Sequence, residues 1–274
     1  MNRMPNFQVV QDQMQRIFQC PKAPQRMVSL VPSQTEWLFS LGLQEQIVGV
    51  TWFCEHPAEA LKQKTPVGGT KNVKLDRVEN LAPDLIIANK EENQRDQILD
   101  LARQFPVWVS DVSDLNTALE MMRMTAQVTG RGVQGARLVS RIEKGFSELE
   151  PSEHPPRVLY LIWRKPWMSV GRDTFIHDML SRGGWQNVCS GYERYPELDE
   201  AAIRQLDPDW IFLSSEPFPF KEAHRKELEA LCPKAKTTLV DGGYFSWYGS
   251  RLLGTPDYFR QLWRRLRQTT APVS

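Results

Sequence analysis

Short apolar runs alternate with amphipathic segments along most of this chain, the pattern of strands followed by helices. The runs that we interpret as strands lie at 27–31, 47–50, 85–88, 107–109 and 157–162, at the apolar end of 206–213, and at 238–241. Continuous apolar runs of this length are typical of strands buried on both faces. Strands that alternate with helices predict α/β architecture, with parallel sheets covered by helices.

Polar signals mark where several helices begin and end. Ser33 is followed three residues later by Glu36, the spacing of an N-terminal capping box, so a helix is predicted from Ser33 to Gly42. Further helices are expected at 75–81, from the loop 89–93 to about Phe105, from about Arg172, at 118–128 and at 133–149.

The helix predicted at 133–149 lies between the two halves of the chain. Its apolar positions recur at three- and four-residue spacing: Ala136, Val139, Ile142, Phe146 and Leu149. A helix of that length spans roughly 25 Å, so we expect a stiff connection between the halves. The predicted segments are an N-terminal α/β lobe at 1–112, a connecting backbone helix at 113–152 and a C-terminal α/β lobe at 153–274.

The second half repeats the plan of the first. Leu81-Ala-Pro-Asp and Leu206-Asp-Pro-Asp each lead into an apolar run, and Glu91 and Glu216 follow the two prolines at the same offset. This repetition predicts two similar lobes. Chance similarity is the alternative, because Pro-Asp can precede a strand in any α/β protein.

Composition excludes several classes of partner. Lys and Arg total 34 against 33 for Asp and Glu, so no overall field would attract nucleic acid. No apolar stretch reaches the roughly 20 residues that cross a bilayer, so we expect no direct membrane insertion. The four cysteines (Cys20, Cys54, Cys189 and Cys232) are scattered, and we expect them to be reduced and mostly buried.

Aromatic residues follow the predicted strands. Ligands of open α/β sheets bind at the carboxyl ends of the strands, so residues there are candidates for a binding surface. The candidate ligand-binding residues are Trp52, Phe53, Glu91, Trp163, Arg164, Trp167, Glu216, Phe218, Phe245, Trp247 and Arg251. Broad rings with a few charges suit a large, rigid, partly apolar ligand. Alternatively, the rings pack inside the lobes or between them.

Catalytic and metal-binding motifs are mostly absent. The chain has no G-x-S-x-G, phosphate-binding-loop or H-E-x-x-H sequence, so no catalytic residue, no bound metal ion and no covalently bound cofactor is predicted. Glu91, Glu92 and Glu216 could form an acid–base pair, but solvated charges or partners for a cationic ligand are favoured. Cys54 and His56 could ligate a metal, and ordinary packing is favoured for them too.

Three segments together resemble a known family. The run Arg26-Met-Val-Ser-Leu-Val-Pro-Ser-Gln-Thr-Glu36, then Val67-Gly-Gly-Thr-Lys-Asn-Val-Lys-Leu-Asp76, then Leu81-Ala-Pro-Asp-Leu-Ile-Ile87 is similar to the N-terminal lobe of helical-backbone (class III) substrate-binding proteins of ABC importers. Those proteins are the vitamin B12 and ferric-siderophore receptors, and the similarity extends from about Phe7 to Gln268.

The resemblance implies a receptor and not an enzyme. It implies two α/β lobes joined by a rigid helix, a ligand such as cobalamin, a ferric siderophore or haem held between the lobes, and delivery to ABC permease subunits. In the family, one acidic residue near the top of each lobe docks on the permease. Asp76 matches in the first lobe; in the second, the same offset falls on Ala201, with Glu200 one place earlier.

Two features depart from the family pattern. The family is periplasmic, but the N-terminal residues Met1–Asp12 show no export signal, which leaves a cytoplasmic enzyme or cofactor-handling protein on the same scaffold as the alternative. Arg164, Lys165 and Arg251 make the candidate surface richer in cations than a generic member needs. Such cations would suit ligand carboxylates or phosphates, on a corrinoid, a siderophore or haem.

Overall fold

The computed structural model describes residues 6–58 and 62–270, which form two compact α/β lobes. The first lobe holds the chain up to Val112, Asn116–Arg141 and Tyr248–Arg251. The second lobe holds Ser113–Leu115, Ile142–Trp247 and the chain from Leu252 onward. The two-lobed α/β fold expected from the sequence is thus confirmed.

The first lobe is built on a five-stranded parallel sheet. Its strands are β1 (Phe7–Gln11), β2 (Ile17–Pro21), β3 (Met27–Ser29), β4 (Ile47–Val50), β5 (Thr65–Pro66), β6 (Gly68–Gly69), β7 (Asn72–Val73), β8 (Leu85–Asn89) and β9 (Val107–Ser110). Its helices are α1 (Pro32–Ser40), α2 (Leu75–Asn80), α3 (Arg95–Ala102), α4 (Leu115–Val128) and the first part of α5 (Gly132–Ser147). The sheet order is β5-β4-β3-β8-β9, while β1-β2 and β6-β7 are antiparallel hairpins.

The second lobe is built on a four-stranded parallel sheet of order β12-β10-β14-β15. Its strands are β10 (Arg157–Leu161), β11 (Trp167–Met168), β12 (Gln186–Asn187), β13 (Glu197–Leu198), β14 (Trp210–Ser214) and β15 (Lys236–Val240). Its helices are α6 (Phe175–Arg182), α7 (Glu200–Gln205), α8 (Glu222–Leu231), α9 (Gly243–Ser246) and α10 (Thr255–Thr270), with a 3-10 turn at Ser250–Leu253.

Each sheet contains one point where the strand order reverses direction. In the first lobe the chain moves from β3 outward to β4 and β5, then returns to place β8 on the other side of β3. In the second lobe, β12 and β14 flank β10 in the same way. The carboxyl ends of β3 and β8, and those of β10 and β14, are therefore the positions where such sheets bind ligands.

The central strands supply the cores of the lobes. All five residues of β8 are buried, and so are all five of β14. In the second lobe the core is strongly aromatic, because the Trp185 ring meets Phe212 at 5.5 Å and Phe259 at 5.2 Å, both edge-on. Burial of each large apolar side chain contributes about 1.5–3 kcal/mol to stability.

The Leu-x-Pro-Asp sequence ahead of β8 and β14 makes the same backbone contacts in each lobe. The Asp84 carboxylate accepts N–H bonds from Gln25 at 2.7 Å and Arg26 at 2.9 Å, just before β3. The Asp209 carboxylate accepts the N–H of Arg157 at 2.7 Å, at the start of β10. Each aspartate therefore connects the strand it precedes to the opening strand of its sheet.

An arginine completes the same arrangement. Arg26 donates to the Leu81 carbonyl at 2.7 Å, and Arg157 donates to the Leu206 carbonyl at 2.7 Å. The residue before the proline has a φ of 43° in the first lobe and 42° in the second. The repetition seen in the sequence is thus a repetition of hydrogen bonds and backbone conformation.

Two helix starts differ from the sequence prediction. Helix α1 begins at Pro32, and its N-cap, Val31, makes no side-chain capping bond, so the predicted capping box at Ser33 is wrong. Proline is favoured at a first helical position because its missing N–H would have no partner there. Helix α6 begins at Phe175, later than expected, because the Thr174 side chain accepts the N–H of His177 and caps the helix.

Both predicted helices between the halves are present, as α4 and α5. They approach closely where α5 carries a glycine: a Cβ on Gly135 would lie 2.3 Å from the Cβ of Ala126. Helix α1 is tied to α4 by the Trp37 indole N–H, which donates to Thr125 at 2.9 Å. The division between the two compact lobes falls within α5, after Arg141.

The hairpin of β1 and β2 is fastened to the first sheet by a buried carboxylate. Asp12 has no exposed surface, accepts the N–H of Val109 at 3.1 Å, and binds the Arg16 guanidinium at 2.6 Å.

All four cysteines are free and buried, as expected. Among the residues that the structure describes, no helix combines the length and apolar character needed to span a bilayer.

Candidate functional site

The first sheet presents two glutamates at the carboxyl end of β8. A buried amide holds their backbone: the Asn89 side-chain oxygen accepts the N–H of Glu91 at 2.8 Å and that of Glu92 at 2.9 Å. Both glutamate side chains are half-buried. Lys71 donates a short hydrogen bond to the backbone carbonyl of Glu91, which places a cation beside this turn.

A second buried side-chain amide, that of Asn93, joins three segments near the carboxyl ends of β3 and β8. The Asn93 side chain donates to the carbonyls of Leu30 at 3.2 Å and Thr70 at 3.0 Å, and accepts the N–H of Asn89 at 2.8 Å. The ends of β3 and β8 are thus held together with the β6-β7 hairpin. Sequence reasoning missed both asparagines, although a polar amide directly after a fully apolar strand was a usable signal.

Two exposed rings follow β4. Trp52 is 47% exposed and Phe53 is 58% exposed. The N–H of Trp52 donates to the Gly68 carbonyl at 2.9 Å, and a Cβ on Gly69 would lie 3.1 Å from the Phe53 ring. Gly68 and Gly69 form β6, and because Gly69 has no side chain the loop can lie close against the hairpin.

Cys54 and His56 on the same loop lie in different surroundings. The Cys54 thiol is fully buried beside the hydroxyl groups of Thr35 and Thr51, at 3.4 and 3.5 Å, and its burial raises the thiol pKa. His56 is exposed. Within residues 6–58 and 62–270, no three His, Cys, Asp or Glu side chains converge as metal ligands would.

In the second lobe an aromatic ridge lies at the carboxyl ends of β10 and β14. The Trp163 ring is 40% exposed and meets the Phe218 ring edge-on at 5.6 Å. The N–H of Phe218 donates to the Ile162 carbonyl at 3.4 Å, which connects the loops after the two strands. Trp163 also pairs with Met168 in a short antiparallel bridge, so the segment 163–168 is a hairpin.

Trp167, on the other side of this hairpin, faces inward. It is only 8% exposed and stacks on Phe220, with the ring planes 6° apart and the ring centroids 6.2 Å apart. The Arg164 guanidinium lies 5.3 Å from the centre of the Trp167 ring. Trp167 is therefore part of the core of the second lobe.

Both arginines of the candidate surface are held by glutamates. Arg164 donates to the two carboxylate oxygens of Glu227 at 2.9 and 2.7 Å. Arg251, which belongs to the first lobe, donates to the two oxygens of Glu36 at 3.3 and 3.0 Å. The sequence indicated guanidinium groups available to a ligand, whereas the fold places a carboxylate beside each of them.

Glu216 is oriented by hydroxyl groups. The Ser246 hydroxyl donates a short hydrogen bond to one of its carboxylate oxygens, and the Ser214 hydroxyl donates to its backbone carbonyl at 2.6 Å. The buried Tyr160 hydroxyl donates to Ser214 at 3.1 Å, and burial raises the pKa of Tyr160. Glu216 is thus a half-buried carboxylate with a fixed backbone at the end of β14.

Phe245 and Trp247 differ in their exposure to solvent. Phe245 has no exposed surface and meets the rings of Tyr160 at 5.1 Å and Phe259 at 5.0 Å, so it is part of the core of the second lobe. Trp247 is half-buried at the end of α9. The sequence placed Phe245 among the ligand-binding candidates, but the chain forms the short helix α9 there, which turns Phe245 inward.

The two acidic residues expected to dock on a permease both lie in the first turn of a short helix. Asp76 is the second residue of α2 and is exposed. Glu200 is the first residue of α7, is exposed, and pairs with Arg204 at 3.3 Å. Asp199 precedes it as the N-cap of α7. Asp76 is thus the second residue of its helix and Glu200 the first, which is the same one-residue difference that the sequence showed.

Comparison with known proteins identifies the family. The family model described as periplasmic binding protein matches residues 27–230. This chain belongs to that family. An ABC transporter substrate-binding lipoprotein of Bacillus subtilis is 26% identical over 203 residues, covering 69% of this chain. The match spans 63% of that relative, a little under two thirds of its length.

One further relative and one solved structure of the same fold bear names that mention a ligand. A vitamin B12-binding protein of Pectobacterium atrosepticum is 25% identical over 200 residues, covering 69% of this chain and 71% of that protein. A periplasmic haem-binding protein of Pseudomonas aeruginosa has the same fold, with a TM-score of 0.75 and 23% identity. That comparison covers 92% of this chain and 95% of the solved chain.

Proposed function

We propose that this chain is the substrate-binding component of an ABC-type importer. The proposed ligand is bulky and contains a metal, as cobalamin, a ferric siderophore or haem does. Membership of the periplasmic binding protein family supports the proposal, together with relatives named for an ABC transporter and for vitamin B12. Its proposed location is the periplasm, and its proposed partners are the ligand and the permease subunits.

The observation that carries the proposal is that exposed aromatic rings lie at the carboxyl ends of the strands in each sheet, where sheets of this kind bind ligands. Large aromatic side chains are normally buried, and their exposure at one functional edge favours ligand contact. In the second lobe Trp163 projects from the reversal point of the sheet, and in the first lobe Trp52 and Phe53 follow β4. Flat, rigid rings bind a macrocycle with little loss of entropy.

Binding without chemical change is part of the proposal. The matched relatives are named as binding proteins, which favours a receptor over the alternative of an enzyme or cofactor-handling protein. In this proposal the half-buried glutamates at the carboxyl ends of β8 and β14 serve to recognise the ligand. The ligand is released in the same chemical form in which it was bound.

Titration of tryptophan fluorescence tests the proposal. We expect cobalamin, haemin or a ferric chelate to quench emission with saturation, because Trp52 and Trp163 are exposed at the proposed surfaces. Trp163→Ala should weaken binding about tenfold or more, as loss of an aromatic contact at the centre of an interface does. If none of the three ligands changes the emission at high micromolar concentration, the proposed function is wrong.

A further inference from the structure

The hairpin at 163–168 exposes one tryptophan and buries the other. Trp163 is 40% exposed, whereas Trp167 is 8% exposed. The N–H of Met168 donates to the Trp163 carbonyl at 3.1 Å, which closes the hairpin at its base. A two-stranded hairpin is at best marginally stable by itself, so contacts with the rest of the lobe decide where the Trp163 ring lies.

The side of the hairpin that carries Trp167 is held by the body of the second lobe. Strand β11 begins at Trp167 and pairs with β13. The Trp167 ring belongs to the same core cluster as Phe220 and stacks on that ring. The ladder between β10 and β14, by contrast, ends at Leu161, two residues before Trp163, so the sheet does not fix that side of the hairpin.

Arg164 attaches the other side to a helix. Its Nε and Nη2 atoms donate to the two carboxylate oxygens of Glu227 at 2.9 and 2.7 Å, and Glu227 lies on α8. The same guanidinium lies 5.3 Å from the centre of the Trp167 ring. A bidentate arginine–carboxylate pair fixes orientation as well as distance. The hairpin is therefore tied to α8 at the residue that directly follows Trp163.

This attachment restricts the Trp163 side chain through the backbone. Each residue has only two freely rotating backbone dihedrals, because the peptide bond is planar. The Trp163 carbonyl is held by Met168 and the next side chain is held by Glu227, so few backbone conformations remain for Trp163. In the one present, its ring meets the Phe218 ring edge-on with the centroids 5.6 Å apart. A ring that is held in place before a ligand arrives loses less entropy on binding.

We infer that Arg164 and Glu227 are positioning residues of the proposed binding surface, which hold the Trp163 ring at the carboxyl ends of β10 and β14 and act on ligand affinity through that ring. The inference rests on the proposed function. The competing role for Arg164 is direct contact with an anionic group of the ligand. The two roles predict opposite effects of removing Glu227. Loss of an attachment weakens binding, whereas release of a guanidinium for a ligand carboxylate strengthens it.

A fluorine label tests the attachment without a ligand. Incorporation of fluorotryptophan gives each of the nine tryptophans a fluorine NMR resonance, and Trp163→Phe identifies the resonance of Trp163. Glu227→Ala should move this resonance toward its position in the unfolded chain. Arg164→Lys should do the same, because an ammonium group cannot form the bidentate pair. A Trp163 resonance that Glu227→Ala leaves in place would overturn the inference.

Glu229→Ala is the matched control. Glu229 lies on the same helix and its side chain is 40% exposed, against 39% for Glu227, but it pairs with Arg225 and not with a residue of the hairpin. The Trp163 resonance should be unchanged in this variant, and an equal shift would overturn the assignment to Glu227. Far-UV circular dichroism checks folding, and Arg164→Lys decides the inference by the same resonance if Glu227→Ala does not fold.

Titration with haemin and with cyanocobalamin tests whether the pair acts through Trp163. Both compounds are followed by the quenching of tryptophan emission, and haemin carries carboxylates. Glu227→Ala should weaken binding about three- to tenfold. In a chain that already carries Trp163→Ala it should add little, because two changes that act through one contact are not additive. Tighter binding of haemin by Glu227→Ala, or fully additive losses, would overturn the inference.

Failure of the proposed function would be distinguishable from failure of this inference. If haemin, cyanocobalamin and ferric chelates all fail to bind the unaltered chain, the proposed function is rejected. The fluorine resonance of Trp163 still decides, in that case, whether Arg164 and Glu227 position the ring.

Discussion

At the scale of single residues, Asp12 illustrates how a buried charge is tolerated. Its carboxylate accepts the N–H groups of Met14, Arg16 and Val109 as well as the Arg16 guanidinium. Asp12→Ala would leave those donors without their acceptor, so we expect a loss of about 3–5 kcal/mol in the free energy of unfolding. Asp100→Ala, which removes the exposed pair with Arg103, should cost less than about 1 kcal/mol. Urea unfolding monitored by circular dichroism measures both, and equal effects would contradict this assignment.

His177 provides a prediction of pH dependence at the same scale. Burial lowers its pKa from the ordinary value of about 6.5, and the Asn187 side-chain amide lies 3.2 Å from its Nδ1. Because the unfolded chain binds the proton more readily, His177 stabilises the fold above about pH 6.5, and this contribution is lost as pH falls through the lower folded pKa. Thermal unfolding between pH 5 and 7 should show a shallower pH dependence in His177→Asn. His154→Asn, at an exposed position, is the control and should keep the slope of the unaltered chain.

At the scale of elements, the packing of α4 against α5 depends on a glycine. A Cβ at Gly135 would lie 2.3 Å from the Cβ of Ala126, so Gly135→Ala should force the helices apart and cost about 1–3 kcal/mol. Gly132→Ala, in the same helix with nothing within 4 Å of the added carbon, should leave stability unchanged or slightly raised. Thermal denaturation of both variants tests the contact. A destabilised Gly132→Ala would show that the glycines matter for another reason.

At the scale of the whole molecule, the proposed importer needs a docking surface as well as a ligand site. Asp76→Arg should weaken binding to permease subunits in lipid nanodiscs while leaving ligand affinity unchanged, because the exposed side chain lies on α2. Glu45→Arg, at an exposed position before β4, makes the same charge change at the other end of the sheet and should bind normally. Loss of ligand binding in Asp76→Arg would count against the docking role.

The sequence by itself determined the longer strands of the two parallel sheets, most of the helices and the repetition of the Leu-x-Pro-Asp arrangement in both lobes, but not the hairpins or the short edge strands β5 and β12. Those features follow from hydrophobic periodicity and local backbone preferences, which act over a few residues. Only the tertiary structure decided the partners of the candidate side chains. Arg164 meets Glu227 and Arg251 meets Glu36, pairs separated by 63 and 215 positions. Phe245 likewise became a core residue because α9 turns it inward. Contacts between distant segments depend on how the elements pack, and no local pattern in the chain encodes them.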